Sequence, residues 1–292
     1  MDRQSSGWWS GFLGVVIFSG SLPATRLAVM GFDPVFLTLA RATIAGLLGG
    51  ALLMAFRQKR PAQSDVLSLA IVSLGVVVGF PLLTAMALQH ITSAHSVVFI
   101  GLLPLATAIF AVLRGGERPL LAFWLYSCVG SALVAGFAMT QGGSASLTGD
   151  LLMLAAIALC GIGYAEGAVL SRKLGGWQVI SWALVLSLPI MLPLVLFTLP
   201  ASWSEIDVAA WGGLVYVSLF SMLIGFIFWY RGLALGGIAA VGQLQLLQPF
   251  MGLVLAASLL GEIVSIPMLL TTVGVVACVV GAKKSATKPR PD

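Results

Sequence analysis

Charged residues are scarce in this sequence. Only 9% of its 292 residues are charged, whereas 59% are hydrophobic and the mean hydropathy is +1.06. A soluble domain carries about 25% charged residues, because it has to present a polar surface to water. The composition therefore excludes a soluble enzyme and a nucleic-acid-binding protein. It indicates a polytopic membrane protein.

Residues typical of catalytic and metal centres are also few. The three cysteines all lie in apolar runs and there are two histidines, which argues against a disulfide framework or a metal site. The sequence contains no His-Glu-x-x-His, Gly-x-Ser-x-Gly or Gly-x-Gly-Asp motif. We therefore expect no catalytic residue, no metal, no cofactor and no nucleic-acid partner. An intramembrane enzyme is disfavoured, and so is a channel, since no ring of charged pore residues is visible.

Ten apolar runs lie between short islands of charge. Each is long enough to cross a bilayer as a helix, which takes about 20 residues, and none alternates in the manner of a barrel strand. The predicted spans are residues 8–29, 34–56, 66–89, 92–113, 119–140, 151–171, 179–199, 209–231, 236–260 and 265–282. The predicted fold class is thus all-α, with ten transmembrane helices.

Basic residues occur in alternate connections. Of the 15 Lys and Arg residues, Arg26 and Arg41 fall inside spans, and the other 13 lie on one side of the predicted membrane. The connections on the other side hold none of them and carry acidic residues instead. Because basic loops stay in the cytoplasm, we predict that both termini are cytoplasmic and that the number of spans is even.

The two halves of the sequence resemble each other at a shift of 145 residues. Ten identities fall in one ungapped stretch of 47 positions, from residue 71 to 117. Pro104 recurs as Pro249, and Glu117 recurs as Glu262. Because five spans are an odd number, the second half must be inverted in the membrane. We predict repeats over residues 1–140 and 141–292, the second with a basic cytoplasmic tail, as in secondary transporters.

Short patterns add a further signal. They are Ser-Leu-Pro-Ala-Thr-Arg at residues 21–26, Asp-Pro at 33–34 followed by Arg41, and Pro-x12-Glu at 104–117 and 249–262. With these patterns the sequence resembles the drug/metabolite transporter superfamily, as two tandem EamA-type units, and within it the amino-acid exporters of the YddG type. The resemblance implies export of amino acids or other small metabolites. Together with the compact loops, it also implies a bacterial inner membrane. Because two bundled repeats make a self-sufficient transport unit, we expect a monomer.

Prolines within the predicted spans are candidate hinges. Pro104 and Pro249 fall near the bilayer centre, and Pro23 and Pro81 also lie inside spans. An interior proline removes a helix hydrogen bond and bends the helix. We predict that the matched pair serves alternating access, with a static kink as the alternative, and that the other two prolines bow their helices in the same way.

Polar side chains at mid-membrane depth are candidates for substrate contact. Gln245 and Gln248 precede Pro249, and a buried amide must find a hydrogen-bond partner, either on another helix or on a polar substrate. Aromatic and hydroxyl residues at similar depth complete the predicted pocket, namely Ser19, Ser21, Phe80, Thr84, Phe99 and Tyr164.

Three charges lie inside the predicted spans, where they are costly and often functional. Arg26 can snorkel to the outer surface, whereas the deeper Arg41 is predicted to face protein. Glu166 lies near the inner end of its span, close to Arg172 and Lys173 and too far from the first two arginines for a direct pair. Two roles stay open for these three charges. One is structural pairing with loop charges or carbonyls, and the other is binding of a substrate carboxylate or a coupling proton.

The leading hypothesis is a secondary transporter whose two repeats rock around a central cavity and export a small metabolite. The predicted pocket is mostly neutral, which suits neutral or aromatic amino acids better than sugar phosphates, since phosphates need Lys or Arg at mid-depth. The alternative is an exporter of drugs or other metabolites. The expected partners are a small-molecule substrate and membrane lipid.

Overall fold

The structure is a computed structural model that describes residues 2–87, 90–91, 96, 99–140, 146–260 and 266–286. These residues form helices and no strand, which confirms the all-α prediction. The helical segments are Arg3–Ser19, Ser21–Val29, Pro34–Ala55, Gln63–Val72, Ser73–Gly79, Phe80–Ala87, Leu103–Gly115, Leu121–Thr140, Leu147–Leu174, Gly176–Phe197, Val208–Val215, Tyr216–Ile224, Gly225–Gly236, Ile238–Gly242, Gln243–Leu247, Gln248–Leu260 and Ile266–Ser285.

Eight of the helices in this part of the chain are long and apolar enough to cross a membrane. The two predicted spans outside this set are residues 92–113 and 236–260. In the first, the helix Leu103–Gly115 begins only after a turn. In the second, the 3₁₀-helical segment Gln243–Leu247 separates two α-helices. The prediction of ten continuous helices is therefore confirmed for eight spans, and the other two lack an unbroken helix in the described residues.

Prolines follow the interruptions. Pro104, Pro249 and Pro81 are each the second residue of a helical segment, and Pro23 is the third residue of Ser21–Val29. Pro23 and Pro81 lie inside the continuous helices Arg3–Val29 and Gln63–Thr84, whereas Pro104 and Pro249 stand in the first turn of the segments that follow the two interruptions. A hinge role for these prolines stays a prediction. A proline has no N–H and its ring collides with the preceding turn, so it is tolerated in the first turn of a new helix.

Two π-helical segments occur at corresponding positions of the two halves. They are Ser73–Gly79 and Tyr216–Ile224, and the shift of 145 residues places the first on residues 218–224. Such segments are rare and often lie at functional sites. The irregularities of the backbone thus recur with the same period as the sequence identities.

Helices from the two halves pack against each other. Four principal pairings each join a helix that ends by residue 140 to one that begins at or after residue 147. They are Arg3–Ser19 with Gly225–Gly236, Pro34–Ala55 with Gly176–Phe197, Leu103–Gly115 with Leu147–Leu174, and Leu121–Thr140 with Ile266–Ser285. Any relative movement of the halves must therefore occur across these contacts.

Glycines allow the first of these pairings. A side chain on Gly7 would overlap the backbone of Gly236, and one on Gly232 would lie 2.5 Å from the backbone nitrogen of Gly11. Small residues let membrane helices approach until their backbones touch. Conversely, large apolar residues such as Leu121 and Phe197 are each 86% exposed, as expected of side chains that face lipid.

Candidate functional site

The interrupted stretch Gln243–Leu247 carries buried amides without partners. Gln243 is fully buried, and neither its Oε1 nor its Nε2 has a hydrogen-bond partner. Gln245 is 5% exposed and its Oε1 is likewise unpartnered, whereas Gln248 is half-buried. Leaving such a group unpaired costs about 1–3 kcal/mol. The stretch is therefore a place where a further hydrogen-bonding group would be stabilised.

Aromatic side chains lie beside these amides. Tyr164 is buried, its hydroxyl lies beside the side chains of Gln245 and Cys160, and its ring centroid is 5.5 Å from that of Trp229. Phe226 packs 6.1 Å from Tyr164. The Nε1 of the fully buried Trp229 has no acceptor. We call the segment Gln243–Leu247 together with Tyr164, Phe226 and Trp229 the amide–aromatic site.

The structure thus brings together the predicted residues Tyr164 and Gln245, and it adds residues that the sequence did not point to. Trp229 and its neighbour Tyr230 stand next to residue 231, where the predicted span 209–231 stops. The helix continues to Gly236, about 7.5 Å further by helix rise. Both residues are fully buried, and Tyr230 donates a hydrogen bond to the Gly163 carbonyl oxygen at 3.1 Å.

The predicted hydroxyl residues have different environments. Ser19 donates to the Val15 carbonyl oxygen at 2.7 Å, and Ser21 donates to Ser221 at 2.9 Å. Both hydroxyls are thus satisfied by the protein. The Oγ1 of the half-buried Thr84, in contrast, is buried and has no partner.

The predicted aromatic residues Phe80 and Phe99 are half-buried and pack against the core. Phe99 also contacts a second apolar cluster, formed by Ala87, Ile91 and Met153. Both rings serve packing in this conformation.

Glu166 has a partner that the sequence analysis did not identify. Its carboxylate accepts two hydrogen bonds from Arg114, at 2.6 and 2.9 Å, and one from Ser68 at 2.6 Å. We expected it near Arg172 and Lys173, which follow it along the chain. Instead, Arg114 at the end of Leu103–Gly115 reaches it because that helix packs against Leu147–Leu174.

Further ion pairs surround this one. Lys173 lies 2.7 Å from Asp65, and Arg172 lies 3.5 Å from Glu117. We call these four residues, with Arg114 and Glu166, the charged layer. Each of its three pairs joins a residue before position 140 to one after position 147, so the layer ties the two halves together.

Glu117 also holds the start of the interrupted span. Its two carboxylate oxygens accept hydrogen bonds from the backbone N–H groups of Ile238 and Ala239, at 2.6 and 2.9 Å. These amides begin the helix Ile238–Gly242, which lacks a side-chain cap of its own and follows Gly237 at a positive φ of 93°. Burial raises the pKa of Glu117, although the two N–H donors and Arg172 act in the opposite direction.

Arg41 faces protein, as predicted. Its Nη2 lies 3.5 Å from the sulfur of Met222, and its Nε is buried without a partner. The guanidinium therefore retains an unused donor. The side chain of Arg26 lies outside the described residues.

Comparison with known proteins decides the family. The sequence model of the EamA-like transporter family matches the chain twice, over residues 5–139 and 147–282. The chain belongs to the EamA-like transporter family. It is 65% identical over 286 residues to the uncharacterized transporter YdeK of Bacillus subtilis, an alignment that covers 98% of this chain and 100% of that protein. This EamA protein is therefore a multi-pass membrane transporter.

More distant relatives agree with this assignment. The EamA protein is 26% identical over 264 residues to a probable terminal-alkyne amino-acid exporter of Streptantibioticus cattleyicolor, covering 89% of this chain and 88% of that one. A solved crystal structure shares the fold, with a TM-score of 0.82 at 19% identity over 96% of this chain and 99% of the other.

Proposed function

We propose that this EamA-family transporter exports neutral or aromatic amino acids across the inner membrane of a bacterium. The observation that carries the proposal is the amide–aromatic site. Gln245 offers an unpartnered carbonyl oxygen, Trp229 an unpartnered N–H, and Tyr164 an aromatic ring. Such a combination of apolar walls and a few polar groups suits a small molecule with one polar end and an apolar side chain.

Charge distribution supports this substrate class. The carboxylate of Glu166 is engaged by Arg114 and Ser68, so it is not available to a cationic drug in this conformation. A zwitterion brings its own carboxylate, and we propose that the unpartnered Nε of Arg41 is a donor for it along the path. The distant relative's name, a probable amino-acid exporter, supports the same class.

We further propose ten spans in two inverted five-helix repeats, over residues 1–140 and 141–292, with both termini cytoplasmic and the monomer as the transport unit. The two family matches, the matched π-helical segments and the interruptions before Pro104 and Pro249 support this architecture. Interrupted spans at matched positions typically line the binding site of a secondary transporter.

The proposed mechanism is alternating access. The charged layer lies on the side that the basic residues indicate as cytoplasmic, and its three pairs must separate before substrate can enter from there. The interruptions before Pro104 and Pro249 lack a continuous ladder of helix hydrogen bonds, so rotation there disrupts the least backbone structure. In this proposal the two prolines mark the hinges, with Pro23 and Pro81 at secondary bends.

Flux through the purified protein tests the function. Liposomes containing the protein are loaded with labelled phenylalanine, tryptophan, threonine or methionine, and efflux is compared with protein-free liposomes, with and without a pH gradient. We expect saturable, protein-dependent efflux of at least one of them. If none moves, the amino-acid proposal fails and the exporter of drugs or other metabolites takes its place. Efflux that never saturates would instead indicate a channel.

A further inference from the structure

A cavity of about 290 Å³ opens at the predicted cytoplasmic edge of the membrane, between the first, ninth and tenth predicted spans. This is close to the lower limit of ligand pockets, roughly 300 Å³. Its lining residues are Ser5, Trp8, Trp9, Phe12, Leu244 and Lys283. None of them belongs to the charged layer; Leu244 lies in the amide–aromatic site, but the proposed amino-acid binding rests on Gln245, Trp229 and Tyr164, which do not line the cavity.

The cavity is lined by a cation and by apolar side chains. The Nζ of the exposed Lys283 lies 4.3 Å from the ring centroid of Trp8. Phe12, four residues and about 6 Å further along the same helix, is half-buried, and Leu244 is buried. A cation followed by aromatic and aliphatic side chains is complementary to an amphiphile with an anionic head. A free anion would leave the apolar side chains unused.

One acidic residue competes for the cation. Asp2 interacts electrostatically with Lys283, but its Oδ1 accepts a hydrogen bond from the Ser5 N–H at 2.6 Å, where it caps the first helix. That hydrogen bond lowers the pKa of Asp2. The Asp2 carboxylate is thus committed to the helix terminus, and the Lys283 ammonium, which bears three donors, can bind a second anion.

We propose that this cavity binds the headgroup of an anionic phospholipid, with the phosphate at Lys283 and the first methylenes against Phe12 and Leu244. Basic pockets between helices on the cytoplasmic side attract such headgroups, and Trp and Lys are typical of the interface. Leu244 lies between Gln243 and Gln245 in the interrupted span. A lipid bound here therefore touches the segment that carries the unpartnered amides, so its occupancy changes transport as well as stability.

Thermal unfolding of the purified protein in detergent tests the binding. Phosphatidylglycerol, phosphatidylcholine and soluble glycerol 3-phosphate are added separately to the wild type and to three variants. The variants are Lys283→Ala, Lys283→Arg and the matched control Lys284→Ala; Lys284 is the neighbouring lysine and does not line the cavity. We expect phosphatidylglycerol to raise the unfolding temperature of the wild type, Lys283→Arg and Lys284→Ala. For Lys283→Ala, the half-saturating lipid fraction rises about fivefold, as expected for the loss of one lysine near an anionic surface.

Three results would overturn the proposal. Equal responses of the two alanine variants would remove Lys283 from the site. Equal stabilisation by phosphatidylcholine would show that the negative charge is not recognised. Stabilisation by glycerol 3-phosphate as strong as by phosphatidylglycerol would indicate a simple anion site. A readout of function complements these assays: in liposomes with phosphatidylglycerol, flux through Lys283→Ala should fall relative to Lys284→Ala, and the difference should vanish in pure phosphatidylcholine.

Discussion

The charged layer and the amide–aromatic site differ in whether their polar groups have partners. In the charged layer, every charge has an opposite partner, at 2.6 Å for Arg114 and Glu166, 2.7 Å for Lys173 and Asp65, and 3.5 Å for Arg172 and Glu117. In the amide–aromatic site, both amide atoms of Gln243, the Oε1 of Gln245 and the Nε1 of Trp229 are buried without partners.

The difference indicates two roles. A network of buried charges is stable only when each member is paired, and it becomes costly as soon as it opens. The charged layer is thus complete in this conformation, and we propose that it holds the cytoplasmic side closed. The amide–aromatic site has unpartnered polar atoms, and in the proposed function a ligand with its own donors and acceptors completes it. Substitutions should therefore affect stability in the first region and transport in the second.

The largest expected effect concerns Gln245. Because its carbonyl oxygen has no partner in the protein, Gln245→Leu removes only the hydrogen bond between the Gln245 side chain and the Tyr164 hydroxyl, and it should lower the unfolding temperature only slightly. Transport should fall about 10–100-fold, the loss of one buried hydrogen bond to the substrate. Flux and thermal unfolding are measured side by side. Gln63→Leu, at an exposed glutamine, is the matched control.

A reversed pattern is expected in the charged layer. Arg114→Ala leaves the carboxylate of Glu166 buried without its main partner. The free energy of unfolding should fall by roughly 1–3 kcal/mol, less than for a fully buried pair because the Arg114 side chain is 50% exposed. The double variant Arg114→Ala/Glu166→Gln should regain part of that loss. If the single and double variants are equally stable, the pair does not stabilise the closed layer.

The pH dependence of the layer sharpens the comparison. Burial raises the pKa of Glu117 in the closed layer, and opening would return this pKa towards its ordinary value. The closed layer therefore binds the proton more tightly than the open one. Closure is favoured at low pH and weakens as the pH rises through the raised pKa.

Labelling of a buried cysteine measures this effect. Ser171→Cys, in a chain whose three native cysteines are replaced by alanine, is buried next to Arg172 and becomes accessible when the layer opens. After correction for the ionised fraction of the thiol, the labelling rate should rise by about twofold with pH in the protein that keeps Glu117. Glu117→Gln, which cannot titrate, should show no such rise. A rise of equal size in both would assign the effect to another group.

The smallest effect is expected at a satisfied hydroxyl. Ser21→Ala removes the hydrogen bond to Ser221 and should lower the free energy of unfolding by about 0.5–1.5 kcal/mol. The apparent affinity for substrate should stay the same, because the Ser21 hydroxyl is already bound within the protein. Ser221→Ala should have the same effect, and the double variant should add little. A change in the transport KM would place Ser21 in the substrate path.

Some of this arrangement follows from the sequence alone. Long apolar runs predicted ten spans, and eight helices of the described residues are long and apolar enough to cross a membrane. The Pro-x12-Glu patterns pointed to the family, and mid-membrane depth selected Gln245 and Tyr164. These inferences depend on hydropathy and position along the chain, which a sequence records directly.

Other features depend on how helices pack and could not be predicted. Arg114 pairs with Glu166 because the helix Leu103–Gly115 packs against Leu147–Leu174. A hydropathy profile predicts neither which helices pack together nor how each is rotated about its axis. The span that contains Trp229 was predicted to end at residue 231, whereas its helix continues to Gly236. The hinge role of Pro104 stays a prediction, since whether a proline bends a helix or begins one depends on the residues before it.

Equilibrium binding tests the central claim most directly. Labelled phenylalanine or tryptophan, whichever gives the larger flux, is bound to the purified wild type, Gln245→Leu, Gln63→Leu and Arg114→Ala/Glu166→Gln. The account predicts that affinity falls about tenfold or more in Gln245→Leu alone. It predicts that affinity is retained in Gln63→Leu and in the charge-layer variant, which changes stability but leaves the site intact. Wild-type affinity in Gln245→Leu would contradict the account, because the amide–aromatic site would then not be where the substrate binds.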